Sequence, residues 1–297
     1  MMILLVNQAK KKLIKMSKFW SDVVHKLTPY VPGEQPKLDD LVKLNTNENP
    51  YAPSPELAQA IADRVHRVAS TLNRYPDRDA TVLRTSLAKF INTLSGTNFQ
   101  ADSIWAANGS NEIIQSLFMA FGSRGALGFT PSYSMHPLIA KVIGVNWRDG
   151  GRRADFTLDT AKAIDEISQV KPALTFITTP NNPTGTLLKI AEIELLAKAT
   201  SEVNGLLIVD EAYAEFSDEE SAVTLIGKYP NVVVIRTMSK AFAFAGARVG
   251  YLVASTDVVD AMFLVRLPYH LSAITQAAAE VALEYQGELL GTVATLI

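Results

Sequence analysis

Residues 206–213 read L-L-I-V-D-E-A-Y, and residues 232–251 read V-V-V-I-R-T-M-S-K-A-F-A-F-A-G-A-R-V-G-Y. Each stretch opens as a short apolar run of the kind buried in a parallel sheet and closes in a polar cluster. The first delivers Asp210 and Tyr213, the second Thr237, Ser239 and Lys240, and Arg248 follows. In parallel α/β sheets the carboxyl ends of neighbouring strands open into one crevice. A carboxylate, a phenol, two hydroxyls, a lysine and an arginine are therefore predicted to converge at one mouth. Glu211, one residue on from Asp210, is predicted to point to the opposite face of the sheet.

Outward from this pair of strands the chain keeps the same alternation. Strands are predicted at Ile104–Ala107, Leu127–Phe129, Ala173–Ile177, Leu206–Asp210, Val232–Arg236 and Val249–Ala254. Helical patterns lie between them, with Ile114, Leu117 and Phe118 inward on one and Ile193, Leu196 and Ala197 inward on another. Upstream, Ser54 caps a helix opening at Pro55, and a second helix turns Leu83, Leu87, Phe90 and Ile91 inward. The pattern predicts an α/β fold, a mostly parallel sheet with helices on both faces. From about Thr256 the chain is helical, and one long helix through Ile274, Ala277, Val281 and Leu290 is expected to run to Ile297. The segments expected are an arm over 1–44, a large domain over 45–262 and the start of a small one over 263–297.

The 297 residues carry 48% hydrophobic and 20% charged side chains, a composition of globular proteins that bury a core. A net charge of −2 gives no electrostatic case for nucleic acid or an anionic membrane as partner. With no cysteine, disulfides and thiolate metal sites are excluded, no metal is expected, and a cytoplasmic enzyme fits. Met1–Val6 is too short for a signal core and its lysines follow it; it reads as a frayed start, with Met16 as an alternative natural start.

The convergent set suits a cofactor with an aldehyde, a basic ring nitrogen and a phosphate, which describes pyridoxal 5'-phosphate (PLP). Lys240 would hold the aldehyde and serve as general base, because a lysine desolvated beside other cations is nucleophilic. Its sequel A-F-A-F-A-G is a poor setting for a solvated surface charge, the ordinary fate of a lysine. Asp210 would keep the ring nitrogen protonated, or would cap a helix. Tyr213 and Asn182 would meet the ring hydroxyl, although Asn182 also fits a turn in N-P-T-G. Ser110 and Asn111, opening a helix after Gly109, would offer backbone amides to the phosphate, with Thr237, Ser239 and the forked Arg248 completing it. Tyr133 would stack on the ring or sit in the core. The amide-rich run L-N-T-N-E-N-P-Y around Asn47 holds more side-chain amides and acids than one turn needs.

In order along the chain, G-S-N-E, P-S-Y-S-M-H, T-P-N-N-P-T-G, V-D-E-A-Y-A-E-F and S-K-A-F-x-x-A-G-x-R-x-G-Y resemble the fold type I PLP enzymes, with the aspartate aminotransferase fold. P-Y-V-P-G-E-Q-P, N-R-Y-P-D-R-D and R-L-P-Y-H-L-S-A-I-T-Q-A-A-A narrow the resemblance to histidinol-phosphate aminotransferases over roughly Tyr30 to Thr292. It implies that Lys240 carries PLP, that Asp210, Asn182, Tyr213, Ser110, Asn111, Thr237, Ser239, Arg248 and Tyr133 bind it, and that Tyr30, Asn47 and Tyr269 meet substrate. Tyr75 and the Tyr30 arm would reach a neighbouring subunit, which implies a homodimer with composite sites. The implied reaction moves the amino group of glutamate to imidazole-acetol phosphate, giving histidinol phosphate and 2-oxoglutarate in histidine biosynthesis.

Members of that family continue into a small C-terminal domain carrying an arginine for the substrate's anionic group. That domain is expected to be largely missing here, with PLP binding kept and transamination weak or absent. Ala52, where many relatives have Gly, is expected to be harmless. Aromatic amino acid aminotransferases and threonine-phosphate decarboxylases share the scaffold and are alternative readings. A non-catalytic truncated remnant is an alternative of another class.

Overall fold

The computed structural model describes residues 18–28, 43 and 45–297. Tyr30 lies outside them, as do Met1–Val6, Met16 and most of the expected arm. The chain separates into two compact units, Met1–Val31 and Pro32–Ile297. In the first, a short helix α1 (Asp22–His25) is capped by the Ser21 side chain.

The second unit is built on seven strands: β1 (Ile104–Ala107), β2 (Ala126–Gly128), β3 (Trp147–Asp149), β4 (Leu174–Thr178), β5 (Leu206–Asp210), β6 (Val232–Thr237) and β7 (Gly250–Val253). They form one sheet in the order β1-β7-β6-β5-β4-β2-β3. The run from β3 to β6 is parallel, and β7 is antiparallel to both β6 and β1. The mostly parallel sheet read from the sequence is thus present, and β3 is a strand the sequence did not announce.

The helices are α2 (Pro55–Ala69), α3 (Thr81–Ser95), α4 (Ser110–Phe121), α5 (Met135–Ile143), α6 (Thr160–Val170), α7 (Ile190–Glu202), α8 (Thr256–Val265), α9 (Ala273–Glu284), α10 (Gln286–Gly291) and α11 (Val293–Leu296). They cover both faces. Leu207, Val209, Val232 and Val234 pack in one core with Leu83, Leu87, Phe90 and Ile91 of α3 and with Ile193 and Leu196 of α7. Ile208, Val233 and Ile235 pack in the other with Ile113, Ile114 and Leu117 of α4 and Val258 and Met262 of α8. Successive strand residues alternate between the two cores, as the two-residue period of a strand requires.

The expected single C-terminal helix is instead three helices, α9 to α11. Tyr285 leaves helical geometry at φ −102 and ψ 21, and Gly287 and Gly291 weaken the continuation. Ser54 caps α2 as expected, its hydroxyl accepting from the Leu57 amide at 3.1 Å. Among the described residues, no helix is long and apolar enough to cross a membrane.

Candidate active site

The parallel core of the sheet brings the ends of β5 and β6 to one mouth. Asp210, the last residue of β5, is paired with Ile235 of β6 on one side and Thr178 of β4 on the other. Its alternation places it on the α4–α5 side, where it is buried and where Nε2 of His136, equally buried, lies 2.9 Å from Oδ2. The Ala212 amide donates to Oδ1 at 3.1 Å. His136 sits against Phe176, with ring centroids 4.9 Å apart, and edge-on to Tyr133 at 5.4 Å. An imidazole wedged between two rings holds its partner carboxylate in one orientation. His136 stands in the P-S-Y-S-M-H run, but the sequence reading gave it no role. Its place in the first turn of α5, three residues after Tyr133, is the signal that was there to find.

Glu211 points to the opposite side, as predicted, and pairs there with the buried Arg236 at 2.7 Å. Beyond it the chain turns through a short 3-10 segment, Ala214–Phe216, and carries Tyr213 back over the mouth. The Tyr213 hydroxyl accepts from Nδ2 of Asn47 at 2.8 Å. Burial raises the Tyr213 phenol above its ordinary value; the Asn47 bond opposes that and the Asp210 charge adds to it. The carboxylate of Asp210 therefore acts on the same phenol that faces Lys240.

Lys240, just past β6, is half-buried, with Nζ 5.7 Å from the centre of the Tyr213 ring. Its amine donates to the carbonyls of Thr46 and Asn47, each at 3.0 Å. Both of those residues have positive φ, 62° and 51°, a conformation that asparagine tolerates and that is costly for the β-branched Thr46. The turn at residues 45–48 thus spends backbone strain to aim two carbonyls at one amine. Desolvation lowers the Lys240 ammonium below the ordinary lysine value; Glu48 works against this and Arg248 adds to it. Lys240 and Asp210 serve one mouth, both next to Tyr213.

A cradle for an anion adjoins them. Helix α4 starts after Gly109, whose φ is +80. A methyl group at Gly109 would stand 2.5 Å from Nη2 of Arg248, and one at Gly250 would stand 2.5 Å from the Ser110 amide. Both glycines are therefore dictated by close approach, of a guanidinium in one case and of a helix N-terminus in the other. Arg248 Nη1 lies 3.4 Å from Oγ of Ser239, and the Ser239 amide donates to the Thr237 hydroxyl at 3.1 Å. Asn111, in the first turn of α4, accepts from the Tyr133 hydroxyl at 3.0 Å. Free helix amides, a forked cation and two hydroxyls within one small region are the donor set that a phosphate needs. The residues present fit PLP.

Asn182 joins the Tyr213 side of the site, and Tyr75 lies at the surface. Asn182 lines a shallow pocket with Asn47, Tyr213 and Phe216, while its neighbour Asn181 ties the loops together. Asn181 accepts from Ser132 at 2.8 Å and Arg152 at 3.1 Å and donates to Pro131 at 3.1 Å and Thr184 at 2.7 Å. Tyr75 is 79% exposed and stacks on Tyr269 at 4.4 Å and 15°.

Across residues 39–295 the sequence matches the family described as aminotransferase class I and II. It is 53% identical over 270 residues to the histidinol-phosphate aminotransferase of Mycolicibacterium vanbaalenii, covering 90% of this chain and 72% of that protein. It is also 53% identical to the enzyme of that name from Thermobifida fusca, covering 89% of this chain and 71% of the relative. Among solved structures, the histidinol-phosphate aminotransferase of Clostridium acetobutylicum superposes with a TM-score of 0.71 at 25% identity, covering 82% of this chain and 71% of that one. The Sinorhizobium meliloti protein of that name, solved in complex with PLP, gives a TM-score of 0.78 at 22% identity, covering 95% of this chain and 76% of that one, and shows the shared fold.

Proposed function

The chain belongs to the class I and II aminotransferases, and from that membership we propose that it is a histidinol-phosphate aminotransferase, working with PLP in histidine biosynthesis in the cytoplasm. It transfers the amino group of glutamate to imidazole-acetol phosphate, giving histidinol phosphate and 2-oxoglutarate. The observation that carries this reading is the desolvated Lys240 amine over Tyr213, at a mouth shared with the Asp210–His136 pair and the Arg248 cradle.

When bound, PLP supplies an aldehyde that captures amino groups and a ring that takes up the electron pair left when the substrate's C–H bond breaks. Lys240 Nζ would hold the aldehyde and, as an amine freed beside the bound substrate, would serve as the general base that takes and gives back the substrate proton. Asp210, fixed by His136 and by the Ala212 amide, keeps a proton on the ring nitrogen. With Asn47 donating to its oxygen, the Tyr213 hydroxyl would keep its own hydrogen to offer to the ring oxygen. Asn182 closes the same side. Ser110, Asn111, Thr237, Ser239 and Arg248 grip the phosphate, and Tyr133, braced by Asn111, flanks the ring. Asn47 and Tyr269 meet substrate. Tyr75 serves a neighbouring copy, so that the working form is a homodimer.

The test combines a spectral and a chemical readout. Adding PLP to the chain is expected to give a visible absorbance band, and borohydride is expected to fix the cofactor to Lys240. Any turnover of glutamate, expected above to be weak in this chain, is then expected to shift the band and release 2-oxoglutarate without carbon dioxide. No band sinks the cofactor reading. Carbon dioxide release from a phosphorylated hydroxyamino acid points instead to a decarboxylase, and a band that glutamate leaves unchanged points to a remnant that binds but does not turn over.

A further inference from the structure

We propose that Arg236 is a positioning residue for this reaction: from the face of the sheet opposite the site, it fixes the loop that carries Tyr213, acting through Glu211, Glu215 and Ser221. The inference rests on the PLP reading of Tyr213.

Strand β6 alternates strictly. Val233, Ile235 and Thr237 face the site side, and Val232, Val234 and Arg236 face the other. Arg236 is 3% exposed. Its Nη2 lies 2.7 Å from Oε2 of Glu211 and donates to Oγ of Ser221 at 3.0 Å, while Nη1 lies 3.0 Å from Oε1 of Glu215. Glu211 in turn accepts from the Ser221 hydroxyl at 2.8 Å and the Ala222 amide at 2.7 Å. One guanidinium therefore grips residues 211, 215 and 221, the start, middle and end of a single excursion of the chain.

Tyr213 lies between the first two of these anchors. The Ala214 amide donates to the Glu211 carbonyl at 3.1 Å and the Phe216 amide to the Tyr213 carbonyl at 3.0 Å. These bonds are local turns within the loop. The next residue along β6 is Thr237, so the same strand end that serves the cofactor side also clamps the loop from behind.

A buried charge cluster is a weak source of net stability, because desolvation consumes most of the Coulomb gain and apolar replacements are often neutral or stabilising. What such a cluster supplies is a fixed geometry, and a phenol that must meet one oxygen needs placing to within a fraction of an ångström. Both carboxylates raise the Arg236 guanidinium against the lowering effect of burial. The guanidinium is thus held as a cation, while burial raises the Glu215 carboxyl and the Arg236 charge beside it works against that rise.

The experiment uses Glu215→Gln and Arg236→Lys, each made in the natural chain and in Tyr213→Phe. One readout is the midpoint of the pH-dependent absorbance change of bound PLP. A phenol donating to an anionic ring oxygen favours its deprotonated form, so losing that donor moves the midpoint up, by about one pH unit for one hydrogen bond. Glu215→Gln is expected to raise the midpoint in the natural chain, in the direction of Tyr213→Phe, and to add nothing in the Tyr213→Phe background. Arg236→Lys, which keeps a charge without the fork, is expected to fall between.

A lower thermal midpoint with an unmoved spectral midpoint makes the cluster structural only and overturns the proposal. A shift that persists undiminished in the Tyr213→Phe background overturns it too. If the natural chain binds no PLP, the cofactor reading fails by itself. The positioning claim then stands or falls on carbon-13 tyrosine NMR of the cofactor-free protein. There the signal that Tyr213→Phe removes is expected to shift in Glu215→Gln, and an unmoved signal refutes the clamp.

Discussion

An amine that donates to two backbone carbonyls while half-buried is held in one place, and Lys240 is in that state. Its lowered proton affinity enlarges the neutral, nucleophilic fraction at neutral pH. The rate of PLP capture is therefore expected to rise with pH through a midpoint below the ordinary lysine value of 10.5, and Lys240→Ala is expected to abolish borohydride labelling. Stopped-flow absorbance across pH checks the first, and peptide mapping the second. Lys240, Asp210, Thr237, Ser239 and Arg248 were legible in the sequence because each closes or follows an apolar strand, and strand ends in a parallel sheet share one crevice. His136 was not. Its partner is 74 residues away, and only the packing of α5 over the end of β5 joins them. Likewise the amide-rich run at 45–49 holds more amides and acids than a turn needs, but its use of main-chain carbonyls toward Lys240 leaves no trace in side-chain types.

At the scale of elements, the junction of β7 with α4 makes the anion cradle. At Gly250 the nearest obstacles to a methyl group are backbone atoms, Ser110 N at 2.5 Å and Gly109 C at 2.6 Å, which cannot swing aside as a side chain would. Gly250→Ala is expected to push β7 off the helix N-terminus at a cost of about 1–3 kcal/mol. PLP affinity should fall roughly ten-fold or more, while affinity for pyridoxal, which has no phosphate, should change little; fluorescence titration of both compounds decides it. A second junction ties the turn after α2 to the end of α8. Asp79 takes bonds from Arg78 and from Arg266, and Arg84 and Arg266 each lie over the Phe263 ring, at 4.7 and 4.4 Å from its centre. The Arg78 bond, with Arg266 adding to it against desolvation, holds the Asp79 carboxyl at about 2 instead of 3.8. A carboxyl lowered in the folded state stabilises above its unfolded value and loses that contribution as pH falls. Asp79→Asn should thus melt earlier than the natural chain at neutral pH. The gap should narrow as pH drops from 3.8 towards about 2, followed by circular dichroism; because Asp79 is partly exposed, screening keeps the effect modest. Strands β1 and β5 could be read to the residue because each is a bounded apolar run. Strand β3, W-R-D, is too short and too polar to show a period, and the breaks at Tyr285 and Thr292 fall within an apolar pattern that continues across them.

For the whole molecule, the remaining question is what covers the segments on either side of the Tyr75–Tyr269 stack. Leu72 is 50% exposed, Tyr75 79%, Leu264 85% and Leu267 77%, and large apolar side chains gathered in this way mark a contact surface more often than a solvated one. A second copy of the chain is the occupant proposed, and it makes Tyr75 part of its neighbour's site. Sedimentation is then expected to give twice the 32.3 kDa of one chain, with a thermal midpoint that rises with protein concentration, as linkage between folding and association requires. Leu267→Asp places a charge where the partner would exclude water, and is expected to yield monomer. If Tyr75 acts across the interface, this variant also loses PLP affinity, although it changes no residue of its own cradle. A monomeric Leu267→Asp protein that binds PLP as tightly as the natural chain would leave the dimer intact as an observation and remove Tyr75 from the site.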